Sequence, residues 1–382
     1  MKKLLLIHTN YQQTGGEDVA VLNELELWKE RFRLDKLIFS NEIERPILQT
    51  FSLILNKNFL SKKILEDRLK NFNPDYCIVH NTWFEGSLVI FDVLKKNNIK
   101  SFIKLHNYRH QCNSSFLIFR HIKTGDFCRA CGIRKKRFQI FNKCSESSYI
   151  RSIFMIRYSK KYLKILKKSY FQILVLGNFQ KKKLIELGVD EERVHIFQNY
   201  LSEEKAEKLN FNEPFLLFGG RITHEKGVRE LIKTFLDCKL ENINLKIIGE
   251  GPLLEELKQV YNLPNIDFVG KVSNQKLLSY IESSVAVVTS TKTFEGQPTI
   301  LCEASMLGKV SIFPETGSIL EFFPSKYSYS FTQYDYVDLK NKIIDLVNNE
   351  SIEVQGRANK DYILEYLSKE SLINKFNKIL EV

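Results

Sequence analysis

The feature that most constrains this chain is an alternation that occurs twice. Short apolar runs of strand length are each followed by a longer segment with helical spacing. In the first series the runs Leu4–His8, Leu34–Phe39, Tyr76–His80, Ser101–Leu105 and Ile173–Leu176 predict strands. In the second, Phe215–Phe218, Leu245–Ile248, Ile266–Val269, Ala286–Thr289 and Val310–Phe313 do the same. A helix from about Asp18 to Arg31 repeats Val21, Leu25 and Trp28 at helical spacing, and Gly227–Lys239 and Pro252–Tyr261 are the most regular helical segments of the second half. Apolar strands separated by helices make parallel sheets covered on both faces. The polar, acidic stretch Leu201–Pro214 divides the series. The expected fold class is therefore α/β, with two doubly wound domains facing across a cleft. Residues 1–200 form the first, 201–213 the linker and 214–366 the second, and 367–382 form a helix that packs back on the first. Ligands of such sheets bind beyond the carboxyl ends of the strands. Residues 107–149 have no clear periodicity and read as a long insertion at one such end.

Composition excludes several classes. With 43% hydrophobic and 27% charged residues the chain is neither disordered nor fibrous. No window approaches the roughly 18 uninterrupted apolar residues of a membrane span. Lys2 and Lys3 before Leu4–Ile7 imitate the start of a signal peptide, but His8-Thr9-Asn10 ends the apolar run too soon, so the segment reads as a first buried strand. The expectation is a cytoplasmic protein.

Charge is distributed unevenly. The chain has 57 Lys and Arg against 45 Asp and Glu, a net charge of +12. Residues 1–210 hold 38 basic and 22 acidic side chains, and 211–382 hold 19 and 23. From Lys95 to Lys183 the only acids are Asp126 and Glu146. The N-terminal half is thus expected to face something anionic: nucleic acid, a phospholipid surface or a phosphorylated acceptor. Arg151–Lys168 reads as a basic amphipathic helix with Ile153, Phe154, Tyr158, Tyr162 and Ile165 on one stripe and Lys160, Lys161, Lys164, Lys167 and Lys168 around the other side. In a two-domain protein the apolar stripe covers its own sheet. The expectation is electrostatic docking, without insertion, on the inner face of a membrane, at about 1 kcal/mol per basic residue near an anionic leaflet. Arg134–Arg137 and Lys181–Lys183 add two further clusters.

Of seven cysteines, Cys77, Cys238 and Cys302 lie in apolar runs and read as small core residues. Cys112, Cys128, Cys131 and Cys144 crowd into the insertion, with fifteen, two and twelve residues between them. That spacing is compatible with a structural zinc site of four thiolates, although only one close pair is present. A metal clip would supply the constraint that a loop without periodicity needs.

Three features of the second half carry chemistry. Gly219-Gly220-Arg221-Ile222-Thr223-His224-Glu225-Lys226-Gly227 sets two cations in one short loop after a strand, as a diphosphate would require. Ile248-Gly249-Glu250-Gly251-Pro252 is a glycine turn with Pro at the first helical position. It lacks the third glycine of a dinucleotide fingerprint, and reads equally as a tight turn or as a nucleotide contact at Gly251. In Thr293-Phe294-Glu295-Gly296-Gln297-Pro298-Thr299-Ile300-Leu301-Cys302-Glu303-Ala304, Pro298 is expected in the first turn of a helix ending near Gly308. Its free N–H groups around Thr299 and Ile300 would form an anion site. Glu295 stands just before that site, and Glu303 one turn inside the helix, where it can accept hydrogen bonds from a ribose.

Glutamates eight apart around this turn, after the Gly-Gly-Arg…Lys-Gly loop, resemble the retaining glycosyltransferases of family four, of the bacterial surface-polysaccharide type. The resemblance covers nearly the whole chain. Thr14-Gly15-Gly16-Glu17-Asp18 is similar to the family's donor-facing glycine loop, Leu105-His106-Asn107-Tyr108-Arg109 to its strand-end histidine segment, and Gly177–Lys181 leading to Gly188 to the helix before the linker. It implies the GT-B fold, two Rossmann-like domains, and transfer of a sugar from a UDP- or GDP-linked donor to a glycan or lipid-linked acceptor. It further implies that Arg221 and Lys226 hold the diphosphate and that Glu303 binds the ribose. Glu295 would contact the transferred sugar, and His106 a sugar hydroxyl. The family's aromatic-glycine pattern after the first glutamate reads Gly296-Gln297-Pro298 here, which leaves the sugar open. The chain has no Asp-Xaa-Asp pair for a divalent ion, so catalysis without a metal is expected. Two other readings compete. A zinc-containing nucleic-acid-binding protein would suit the charge and the cysteines but gives Arg221, Lys226, Glu295 and Glu303 no role. A nucleotide-sugar epimerase or other enzyme of the same fold would act without an acceptor.

Overall fold

A computed structural model describes residues 1–11, 15–42, 52, 54–108, 110, 148–168, 170–202 and 206–381. The chain divides into two compact units. The first runs from the N-terminus to Ser202 and includes the C-terminal residues from Leu372; the second extends to Ser371.

The first unit is built on a six-stranded parallel sheet of order β2-β1-β3-β4-β5-β6. Its strands are β1 (Lys3–Asn10), β2 (Arg33–Ser40), β3 (Tyr76–Val79), β4 (Lys100–Leu105), β5 (Gln172–Val175) and β6 (Val194–Ile196). Its helices are α1 (Gly16–Trp28), α2 (Phe59–Phe72), α3 (Val89–Lys96), α4 (Tyr149–Leu166) and α5 (Asn178–Glu186). Successive strand residues face opposite sides. Leu5, Ile7, Cys77, Val79 and Ile103 pack with Leu65, Phe91, Tyr162 and Leu166 on one face. Leu4, Leu6, Ile78 and Phe102 pack on the other with Trp28 of α1 and with Leu372, Phe376 and Ile379 of the last helix.

The second sheet is also six-stranded, of order β12-β11-β10-β7-β8-β9, and its recorded strand pairings are parallel. Its strands are β7 (Phe215–Gly219), β8 (Asn244–Ile248), β9 (Ile266–Gly270), β10 (Ala286–Val288), β11 (Val310–Pro314) and β12 (Ser330–Phe331). Helices α6 (Val228–Asp237), α7 (Leu254–Val260), α8 (Asn274–Ser283), α9 (Thr299–Met306), α10 (Tyr336–Val347) and α11 (Ile352–Tyr366) follow in order, and α12 (Lys369–Glu381) closes the chain. Strand order reverses between β1 and β3 in the first sheet and between β7 and β10 in the second. Those crevices are where sheets of this kind bind ligands.

Ten strands lie where the apolar runs predict them. The runs missed are β6 and β12, three and two residues long, too short to show a period. Pro298 is the N-cap of α9 rather than part of its first turn. The segment after Ser202 is not a bare connector: the Phe211 ring packs, tilted, with its centroid 5.0 Å from that of Phe215 and 4.8 Å from that of Tyr280. Helix α4 does cover its own sheet, but through a different stripe. Met155, Ile156, Tyr158, Tyr162, Leu163 and Leu166 are buried, whereas Ile153 is 40% exposed. At about 100° per residue, Ile153 lies some 200° from Met155, on the outer side. No described helix is long and apolar enough to cross a membrane. The residues Cys112, Cys128, Cys131 and Cys144 and the cluster Arg134–Arg137 lie outside the described residues.

Candidate active site

In the second unit the loops after β7 and β10 are joined at the reversal of strand order. Ser290 donates from its hydroxyl to the Gly227 carbonyl at 2.7 Å, and the Lys292 amide donates to the Glu225 carbonyl at 2.8 Å. Gly227 has φ of 70°, and a Cβ there would stand 2.1 Å from the Ser290 carbonyl oxygen, so only glycine permits this approach. The joined loops bring Lys226 Nζ to 2.6 Å from Glu295 Oε1. The same oxygen accepts the Thr291 hydroxyl at 2.9 Å and the Thr293 hydroxyl at 3.3 Å. The Glu295 main-chain carbonyl accepts the Ser318 amide at 2.9 Å, which fixes the loop from behind. Three donors on one carboxylate oxygen orient Glu295, and among the described residues its second oxygen has no hydrogen-bond partner.

Other residues singled out by sequence lie elsewhere on the loops and on α9 of this unit. Arg221 is exposed on the loop after β7. Gly251 is demanded by packing, since a Cβ would stand 2.3 Å from the Ile222 carbonyl oxygen. Pro298 has no side-chain hydrogen bond to offer as N-cap of α9, so the first amides of that helix, at Thr299 and Ile300, have no side-chain cap. A Cβ on Gly219 would meet Ile300 Cδ1 at 2.3 Å, which places the start of α9 against the end of β7. Glu303 is half-buried one turn along α9. The arrangement offers cations, peptide N–H groups at a helix start and an oriented carboxylate, the set needed by an anion joined to a polyhydroxyl group.

The first unit holds a second polar centre at its own reversal point. Gly15 and Gly16 open α1, and the Gly15 amide donates to Asp18 Oδ2 at 2.6 Å. His8, at the end of β1, hydrogen-bonds Asp18 Oδ1 at 2.8 Å. Burial raises the Asp18 carboxyl, but the bonds from His8 and Gly15 more than offset this and leave it below its ordinary value. His80 Nδ1 and His106 Nε2 lie 2.8 Å apart, with stacked rings. Burial drives both imidazoles well below their ordinary range, helped at His80 by His106 and Lys104 and at His106 by Lys104 and His8. Both are therefore neutral at neutral pH. Beneath them Lys104 Nζ donates to Glu24 Oε2 at 2.7 Å in a fully buried pair. A pocket lined by Glu17, Trp83, His106, Asn107 and Tyr162 lies at these residues.

Sequence reading singled out His106, Glu295 and Lys226 but gave no role to His80, Glu24, Lys104, Thr291 or Thr293. Signals existed for two of them. His80 ends an apolar strand as His106 does, and Lys104 interrupts the apolar run Ser101–Leu105.

Residues 201–362 match the family of glycosyl transferases group 1. The chain is 25% identical over 241 residues to an uncharacterized glycosyltransferase of Methanocaldococcus jannaschii, covering 59% of this chain and 62% of that protein. It is 26% identical to the capsular polysaccharide biosynthesis glycosyltransferase CapM of Staphylococcus aureus, covering 50% and 53%. These alignments thus span between about half and three fifths of those relatives. The solved structure of Anabaena HepE in complex with UDP and glucose superposes with a TM-score of 0.72 over 100% of both chains at 11% identity. Two parallel sheets on that pattern are the GT-B fold. The chain thus has the GT-B fold, and residues 201–362 within it are similar to the glycosyl transferases group 1.

Proposed function

We propose that this protein is a retaining glycosyltransferase that moves a sugar from a nucleotide-diphosphate donor to a glycan or lipid-linked glycan in surface polysaccharide biosynthesis. The observation that carries the reading is Lys226 and Glu295 held 2.6 Å apart at the reversal point of the second sheet, beside the start of α9. Breaking the anomeric C–O bond puts negative charge on the diphosphate and positive charge on the sugar ring. Lys226, held by Glu295, and the Thr299 and Ile300 amides are fixed positive groups for the first, needing no reorganisation during reaction, and the exposed Arg221 adds a further cation. The free oxygen of Glu295 serves the sugar, and Glu303 the ribose. His106 is neutral and suited to a sugar hydroxyl rather than to an anion. With the leaving group stabilised in this way and the acceptor attacking from the same face, no protein nucleophile is assigned. The reading needs no divalent ion on the diphosphate.

UDP is the nucleotide bound to HepE, which favours UDP over GDP as the donor's carrier. CapM's role in capsule synthesis supports a surface glycan as product. Lys160, Lys164, Lys167 and Lys168 are exposed, and they support docking of the first unit on an anionic leaflet where a lipid-linked acceptor would lie.

The test is a thermal-shift panel with UDP, GDP and their sugars, followed by transfer assays with the sugars that bind. A ligand at 100 times its Kd stabilises by about 2.7 kcal/mol. A shift with one nucleoside diphosphate and turnover only with an acceptor are expected. Turnover of the donor to an isomer with no acceptor would convert the reading to an epimerase.

A further inference from the structure

Six large apolar side chains are exposed on two segments of the first unit. Leu55, Phe59, Leu60 and Ile64 lie at the start of α2, and Ile150 and Ile153 at the start of α4; Phe59 is 67% and Ile150 69% exposed. The two groups belong to neighbouring segments, because Lys161 Nζ of α4 donates to the Leu55 carbonyl at 2.9 Å. Ile150, Ile153, Arg157, Lys161 and Lys164 recur at three- and four-residue intervals, so one outward stripe of α4 runs from apolar to basic. Lys57 and Lys63 flank the apolar residues of α2, and no Asp or Glu occurs from Leu55 to Leu65 or from Tyr149 to Ile185. Burial, Arg157 and Lys57 all lower the Lys161 ammonium, a sign of how closely these cations crowd. Single exposed apolar residues are ordinary on a protein surface; six on two segments rich in cations, with Glu85 on the Asn58 side chain and Glu66 beside Lys62 as nearby acids, are not.

We propose that this surface inserts into the headgroup region of an anionic bilayer, with Phe59, Leu60, Ile150 and Ile153 entering the acyl boundary and the surrounding lysines on lipid phosphates. This deepens the membrane part of the proposed function and rests on it, but changes its physics from electrostatic contact to partial burial. A second copy of the chain is a poor occupant, since a two-fold interface would set the same cations against themselves. An anionic lipid surface satisfies both halves of the patch, as it does for interfacial helices with Lys on one side and Phe or Leu on the other.

Flotation of the full chain, without donor or acceptor, on vesicles of phosphatidylcholine alone or mixed with phosphatidylglycerol tests this. Binding to the anionic vesicles is expected, with a fraction that persists in about 1 M salt, where the screening length is near 3 Å. The triple variant Phe59→Ser, Ile150→Ser, Ile153→Ser is expected to lower the partition at least about tenfold and to lose the salt-resistant fraction. Val337→Ser with Val354→Ser, exposed apolar residues of the second unit, serves as control and is expected to bind as wild type. As a measurement independent of the triple variant, Phe59→Trp in the full chain is expected to shift its emission to the blue on anionic vesicles and to be quenched by brominated acyl chains. Complete release by salt with an unaffected triple variant overturns insertion and leaves electrostatic docking standing. Absence of binding to either vesicle overturns both, with no bearing on sugar transfer. A concentration-dependent dimer abolished by the triple variant also overturns insertion, by showing that the patch is a protein interface.

Discussion

Replacing Lys226 by Met removes an ammonium and keeps most of its aliphatic stem, so the two possible roles of this residue can be separated by size. In the free protein the group sits 2.6 Å from Glu295 Oε1, with the side chains 28% and 21% exposed. Solvent screens a pair of that exposure, and its net worth is about 1 kcal/mol or less. Glu295 also keeps its bonds from Thr291 and Thr293. The expected fall in melting temperature is then about 2–4 °C for a domain of this size. In the proposed role the same ammonium would face charge developing on a leaving diphosphate in the transition state, and loss of one such fixed group costs about 10²–10³ in kcat, or about 2.7–4 kcal/mol. Stability and rate should therefore part by several kcal/mol. The assay pairs initial rates of nucleoside diphosphate release with thermal melts and with the Kd of the nucleoside diphosphate. Glu295→Gln completes a double-mutant cycle. If Lys226 serves the diphosphate and Glu295 the sugar, their effects on rate approach additivity; if each acts only by holding the other, the double variant is no worse than either single. A rate within about threefold of wild type, or a fall in melting temperature beyond about 10 °C, would refute the assignment.

Four further outcomes are expected. Gly251→Ala should lower stability by about 1–3 kcal/mol and weaken nucleotide binding although no functional side chain is removed, because its Cβ would stand 2.3 Å from the Ile222 carbonyl; equal denaturant midpoints would count against it. Lys104→Met should destabilise by about 3–5 kcal/mol, since it strands the buried Glu24 carboxylate, and Glu24→Leu added to it should recover much of the loss in urea unfolding. Glu303→Ala should erase discrimination between ribose and deoxyribose nucleoside diphosphates, measured by calorimetry, without a large change in melting temperature. Stability should decline as pH falls below about 6.5, the ordinary histidine value, because His80 and His106 stay neutral when folded but protonate when unfolded. A second decline belongs below the ordinary carboxylate value of 3.8, as the lowered Asp18 finally protonates; Asp18→Asn should remove that part of the urea–pH profile.

What the sequence discloses depends on whether a signal is carried by one segment or by two. The strands are legible because burial on both faces makes each of them apolar by itself, as Leu4–Ile7 and Ile247–Ile248 show. Glu295 and Glu303 are legible for the same reason, since both stand on one loop and one short helix. The pairings that orient these residues are not local. Glu24 lies on α1 and Lys104 on β4, eighty positions apart, and neither is unusual until β4 is laid beside β3 and α1 over their outer face. His80 and His106 similarly become a pair only because β3 and β4 are adjacent in the sheet. The outward stripe of α4 fails for a subtler reason. Apolar residues occur all round that helix, so periodicity alone cannot choose between the stripe of Met155 and the stripe of Ile153; the tight fit of Tyr158, Tyr162 and Leu166 on the sheet makes the choice. The losing stripe, with Ile150 and Ile153, is left exposed. A chain that keeps Phe59, Ile150 and Ile153 exposed there, on segments where cations outnumber acids, retains apolar surface that the sheet does not need.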